Sequence, residues 1–141
     1  MNDEGASRTI FFYGLFMDPD VLGEKEVEPS NFRLAVVDGY GLRIGARATL
    51  ERVEGERVFG SLMDLKEEDL NFLYSEASVA DYAPVQVTAF GMDGERFEAV
   101  SYILPMERLS GRNPEYARAL LSVAEKLGIP EEHLEVIGSW I

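Results

Sequence analysis

The chain has 141 residues, 26 acidic and 13 basic, with a formal charge of -13. Such a surface repels phosphate backbones and anionic lipids, which argues against nucleic acid and membrane partners. Cysteine is absent and His133 is the single histidine, which excludes a disulfide framework, a thiol nucleophile and a multi-histidine metal site from one chain.

No cofactor is therefore expected, and chemistry falls to carboxylates, tyrosines, hydroxyls, amides and backbone groups. The length suits one domain, residues 1–141, able to hide roughly two-thirds of its unfolded surface. No apolar run approaches the roughly 20 residues of a membrane span. Met1 to Ser7 (MNDEGAS) has neither the basic start nor the apolar middle of a signal peptide, so a cytoplasmic protein is expected.

Arg8 to Tyr13 (RTIFFY) is apolar on both faces and predicts a central strand, with Gly14 permitting an abrupt exit. Leu15, Phe16 and Met17 follow in a loop before a turn through Asp18-Pro19-Asp20. Successive backbone N–H groups in such a turn can cradle an anion whatever side chains they carry. Phe32 to Val53, rich in β-branched residues and glycine, predicts bent strands in a curved sheet. Glu54-Gly55-Glu56 and Asp93-Gly94 read as the turns of two hairpins, so antiparallel pairing should dominate.

Lys66 to Ala77 (KEEDLNFLYSEA) predicts a short helix with acidic residues at its start and Glu76 near its end. Asn113 caps a longer helix that has Pro114 at its first position and Tyr116, Leu120, Val123 and Leu127 at helical spacing, and Gly128 stops it. Pro130-Glu131-Glu132 starts a last helix toward Trp140. No internal repeat or linker divides the chain.

Most carboxylates sit in charged surroundings and read as solvated. Glu76 follows Phe72, Leu73 and Tyr74 and has no neighbouring base. It has two readings: a partly desolvated carboxyl with a raised pKa suited to acid–base work, or an exposed residue at a helix end. Tyr13, Tyr82, Tyr102 and Tyr116 fall in separate predicted elements and either converge on a pocket or fill a core. His133, among acidic residues on the last helix, reads as a surface histidine.

Taken in order, these segments resemble the gamma-glutamylcyclotransferase-like family, which includes the AIG2-like proteins. Phe12-Tyr13-Gly14 is similar to its Tyr-Gly loop, Val58-Phe59-Gly60-Ser61-Leu62 to its V-x-G-x-L/V strand, and Leu70 to Glu76 to its Leu-Asp-x-x-Glu-Gly helix end. Tyr82 to Val87, Ser101 to Leu104, Asn113 to Tyr116 and Leu127 to Pro130 resemble the family's later strand, helix-start and turn motifs. The chain departs from the pattern with Leu15 and Phe16 after the glycine, Leu73 or Tyr74 in place of the aspartate, and Ala77 in place of the second glycine.

The resemblance implies an α+β fold: a small, mostly antiparallel β-barrel flanked by short helices. It implies a pocket at the barrel mouth where Tyr13, Gly14, Leu15, Phe16 and Met17 bind substrate through backbone donors, Tyr82 and Tyr116 line the site, and Glu76 is the catalytic acid/base. The implied partner is a small gamma-glutamyl amide whose α-amine attacks its own γ-carbonyl, closing 5-oxoproline and expelling an amine. That cyclisation needs positioning and one proton carrier, with no metal and no covalent nucleophile. Two other classes remain open: a non-catalytic module that binds a small metabolite, and an interaction domain or homodimer using Leu15, Phe16 and Met17 as an apolar patch.

Overall fold

Ile10, Phe11 and Phe12 of the first strand, β1 (Ser7–Phe12), are all buried, as a strand apolar on both faces requires. The structure, a computed structural model, describes residues 7–141. Residues 1–6, on which the expectation of no leader segment rests, lie outside the described residues. After β1 come α1 (Pro19–Glu24), β2 (Ser30–Ile44), β3 (Ala48–Lys66), α2 (Glu67–Leu73), β4 (Ala83–Gly91), β5 (Arg96–Ile103), α3 (Pro114–Leu127) and α4 (Glu131–Gly138).

The strands close a barrel in the order β1-β3-β2-β4-β5. Neighbours pair antiparallel except at the seam, where β1 meets β5 in parallel with Ile10 opposite Val100. The fold is α+β with a small, mostly antiparallel barrel, as the sequence implies. The core gathers inward residues of the barrel with Ala117, Leu120 and Ala124 of α3 and Ile137 of α4. No helix among the described residues is long and apolar enough to cross a membrane.

One expected hairpin turn is absent. β3 runs straight through Glu54-Gly55-Glu56, and the reversal between β2 and β3 falls at residues 45–47, where the Gly45 N–H donates to the Arg47 carbonyl at 2.9 Å. Between the pairs Asp38–Arg57 and Tyr40–Arg52, Gly39 alone faces Val53, Glu54, Gly55 and Glu56. Gly39 and Gly55 both hold positive φ, +86° and +91°. The two strands therefore bulge and bend together here, and the chain does not turn back.

The second expected hairpin is present, with β4 and β5 paired from Ala83–Ile103 to Phe90–Arg96 around Asp93-Gly94. The caps of α3 are as expected: the Asn113 side chain accepts the Tyr116 N–H at 3.0 Å and Gly128 ends the helix. α2 stops at Leu73, so Glu76 lies past the helix in the turns that lead to β4.

Candidate functional site

The chain leaves β1 at Tyr13-Gly14 and makes a 3-10 turn over Leu15–Met17. Both the wall and the helices hold this turn. The Met17 N–H donates to the Gly14 carbonyl and the Ser61 hydroxyl to the Met17 carbonyl, each at 2.9 Å. Just beyond, Asp18 accepts the Asp20 N–H at 2.9 Å and the Lys126 ammonium at 2.7 Å, fixing α1 to α3. The open face of Gly14 lies against the Tyr116 hydroxyl.

Above the turn is a cavity of about 250 Å³. Its walls come from the end of β1 and the turn (Phe11 to Phe16), the β2–β3 connection (Ala46, Arg47, Ala48), the end of α2 and the following turns (Tyr74, Ser78, Val79, Tyr82), Tyr102 of β5 and Tyr116 of α3. The aromatic rings set one another's angles. Tyr74 stacks on Tyr102 with centroids 3.9 Å apart and planes 10° apart, and its ring meets Phe16 edge-on at 6.1 Å.

Most of the phenols are spoken for. The Tyr13 hydroxyl donates to the Tyr102 carbonyl at 2.8 Å, and the Tyr82 hydroxyl to the Ala48 carbonyl at 2.6 Å. Burial, followed by the neighbouring phenols, pushes Tyr13, Tyr74 and Tyr116 well above the usual phenol range. Burial raises Tyr82 to about 12 against a weaker pull from Arg47. All four stay neutral at ordinary pH, and none can serve as a base.

The charged side chain on the cavity wall is Arg47. Its guanidinium grips Asp81 through two bonds, 2.8 and 3.1 Å, and the Ser78 carbonyl at 2.9 Å. Hydrogen bonding to Arg47 in turn holds the Asp81 carboxyl below its usual range. Arg43 faces elsewhere, paired with Glu51 at 2.9 Å and Glu56 at 3.2 Å. Among the described residues no group of acidic and histidine side chains could hold a metal ion.

Of the residues singled out from the sequence, Tyr13, Gly14, Leu15, Phe16, Tyr82 and Tyr116 meet on this cavity. Met17 and Glu76 do not. Met17 points into the core and its amide is used within the turn, so it offers no donor. Glu76 is 46 % exposed on the far side of the turns and pairs with Lys25 at 2.9 Å. The apolar patch of the interaction-domain alternative does not form from these three residues, because Met17 is fully buried and Leu15 and Phe16 line the cavity. His133 is buried against Phe59 and is not a surface residue.

Solved structures share this architecture over nearly the whole chain. A gamma-glutamyl cyclotransferase matches with a TM-score of 0.78 at 19% identity, over 96% of this chain and 88% of the other. The fold is gamma-glutamyl cyclotransferase-like. An uncharacterized protein from Homo sapiens gives the same TM-score, identity and coverage. An AIG2-like protein from Mus musculus matches with a TM-score of 0.59 at 16% identity, over 78% of this chain and 82% of the other. No protein-family model and no curated protein matches the sequence.

Tyr74 is not among the site residues expected from the sequence, where it counts as one of the apolar residues preceding Glu76. A signal was available. Counted without a gap from Leu70, the glutamate of the Leu-Asp-x-x-Glu-Gly pattern falls on Tyr74, with Asn71 at the aspartate. The side chain that the end of α2 turns to the cavity is that tyrosine.

Proposed function

We propose that this protein binds a small organic molecule in the tyrosine-lined cavity and does not turn it over. The observation that carries this reading is the set of polar groups facing the cavity among the described residues: phenols, Ser78, one arginine already paired, and no carboxylate. Cleaving an amide by proton transfer requires a group that can take and return a proton near neutral pH. Phenols kept neutral by burial and a guanidinium cannot do so. Aromatic walls suit retention of a ligand through burial of its apolar surface, at about 25 cal/mol per Å².

Thermal stabilisation that saturates with ligand, without release of 5-oxoproline from any of a panel of gamma-glutamyl compounds, supports this reading. Enzyme-dependent release of 5-oxoproline overturns it.

The likeness in fold to a gamma-glutamyl cyclotransferase supports a second reading, in which the chain cyclises a gamma-glutamyl amide with Glu76 as acid/base. The tie between Glu76 and Lys25 is an exposed ion pair, a class worth about 0–1 kcal/mol. It sits in the same turns as Ser78 and Val79 of the cavity wall. Under this reading Glu76→Gln abolishes turnover.

A further inference from the structure

Resting on the cavity being a binding site, we propose that it selects an uncharged molecule, with a compact apolar body and one hydrogen-bond acceptor, and that the Tyr74 hydroxyl donates to that acceptor. Three observations lead there.

The first is charge. Arg47 is the charged side chain on the wall, and Asp81 neutralises it in place through two hydrogen bonds of 2.8 and 3.1 Å. A carboxylate entering the cavity would have to compete with Asp81 for the Arg47 guanidinium, and an ammonium would meet no carboxylate among the described lining residues, only the faces of the tyrosine rings. Neither gains a free counter-charge in return for its lost hydration.

The second is the disposition of hydroxyls. Those of Tyr13 and Tyr82 donate to carbonyls of the barrel, and that of Tyr116 rests against the open face of Gly14. The Tyr102 hydroxyl lies in the field of Arg8 and Glu67, toward the surface. The Tyr74 hydroxyl makes no hydrogen bond among the described residues, although its half-buried ring is fixed by Tyr102, Phe16 and Tyr82. A phenol donor held in place without a partner calls for an acceptor, and the cavity that Tyr74 lines is where one can come from.

The third is size. A dry cavity of about 150 Å³ holds a benzene ring, and this one, at about 250 Å³, has room for a ring and a polar head.

The test uses the whole chain and calorimetric titration with three probes that share a ring: benzamide, benzoate and benzylammonium. Toluene serves as a purely apolar control. Benzamide is expected to bind at least about tenfold more tightly than either ion. Tyr74→Phe should weaken benzamide by about two- to tenfold, the range of one net hydrogen bond, and leave toluene affinity unchanged. That last result also shows that the variant keeps its cavity.

Equal or tighter binding of the ions overturns the selectivity, and unchanged benzamide affinity in Tyr74→Phe overturns the role of the hydroxyl. Binding of gamma-glutamyl zwitterions in preference to benzamide would sink this inference while leaving the binding reading standing. If none of these probes binds, both fall.

Discussion

The hydroxyl of Tyr116 rests against the open face of Gly14, so close that a Cβ on the glycine would lie 2.7 Å from it. Gly14 has φ -107°, which any residue can adopt, so what forbids a side chain here is the neighbour across the loop and not the backbone. Gly14→Ala must push the Tyr116 ring away from the turn. The expected loss is about 1–3 kcal/mol in urea denaturation, with binding in the cavity abolished. Adding Tyr116→Phe removes the clashing oxygen, so the double variant should be more stable than the sum of the two single losses implies. Strict additivity would contradict this account.

Glu76→Gln separates the two readings of the fold. With its carboxylate outside the cavity and paired only to Lys25, the substitution should change stability by less than about 1 kcal/mol. It should also leave ligand binding at the wild-type value. Loss of affinity, or loss of a 5-oxoproline-releasing activity present in the wild type, would place the carboxylate at the ligand after all.

His133 should make the protein acid-sensitive. Burial holds it down at about 4, against a weaker opposing pull from Glu132. Among the described residues neither ring nitrogen has a hydrogen-bond partner. The unfolded chain takes up a proton near the ordinary value of 6.5 that the folded chain refuses until about 4. Stability from this group is therefore whole above about pH 6.5, falls as pH drops toward 4, and levels off below. The full effect is of the order of about 3 kcal/mol. Urea midpoints at pH 7, 5.5 and 4.5 should show this slope in the wild type and a flatter one in His133→Leu. Parallel slopes would mean that other groups carry the acid response.

Thr49, wholly buried, ties β3 to the residue that follows β5 through both backbone groups of that residue. It donates to the Leu104 carbonyl at 2.6 Å and accepts the Leu104 N–H at 2.9 Å. Thr49→Val keeps the shape and orphans both groups, at an expected cost of about 1–3 kcal/mol. Thr49→Ser, which keeps the hydroxyl, should lose less. Differential scanning calorimetry of the pair decides whether the hydrogen bonds or the methyl group matter at this position.

The features legible in the sequence were those with local causes. β1 announced itself by apolar residues on both faces, α3 by Asn113-Pro114 at one end and Gly128 at the other, and the β4–β5 hairpin by Asp93-Gly94. Glu54-Gly55-Glu56 misled because a positive-φ glycine between polar residues suits a bulge as well as a turn. What decides between them is Gly39 across the sheet, a pairing that no local pattern contains.

The same limit applied at the site. Tyr13, Gly14, Leu15, Phe16, Tyr82 and Tyr116 were found through the resemblance and do share one cavity. Tyr74 read only as an apolar neighbour of Glu76, because an aromatic at a helix end has the same signature whether it packs or faces a void. The position of Glu76 depends on where α2 stops and on Lys25, 51 residues earlier in the chain. Its local run of apolar neighbours carried neither fact.

The seam at Ile10 and Val100 has a consequence for the chain as it is made. β1 emerges first but takes its place between β3 and β5, so one of its edges stays uncovered until residues 96–103 have left the ribosome. During that interval the most apolar segment of the polypeptide is an open template for mispairing. Arrival of β5 ends that hazard and brings Tyr102 onto the cavity wall at the same moment, so the cavity, which α3 then completes with Tyr116, forms only once the chain is safe from its neighbours.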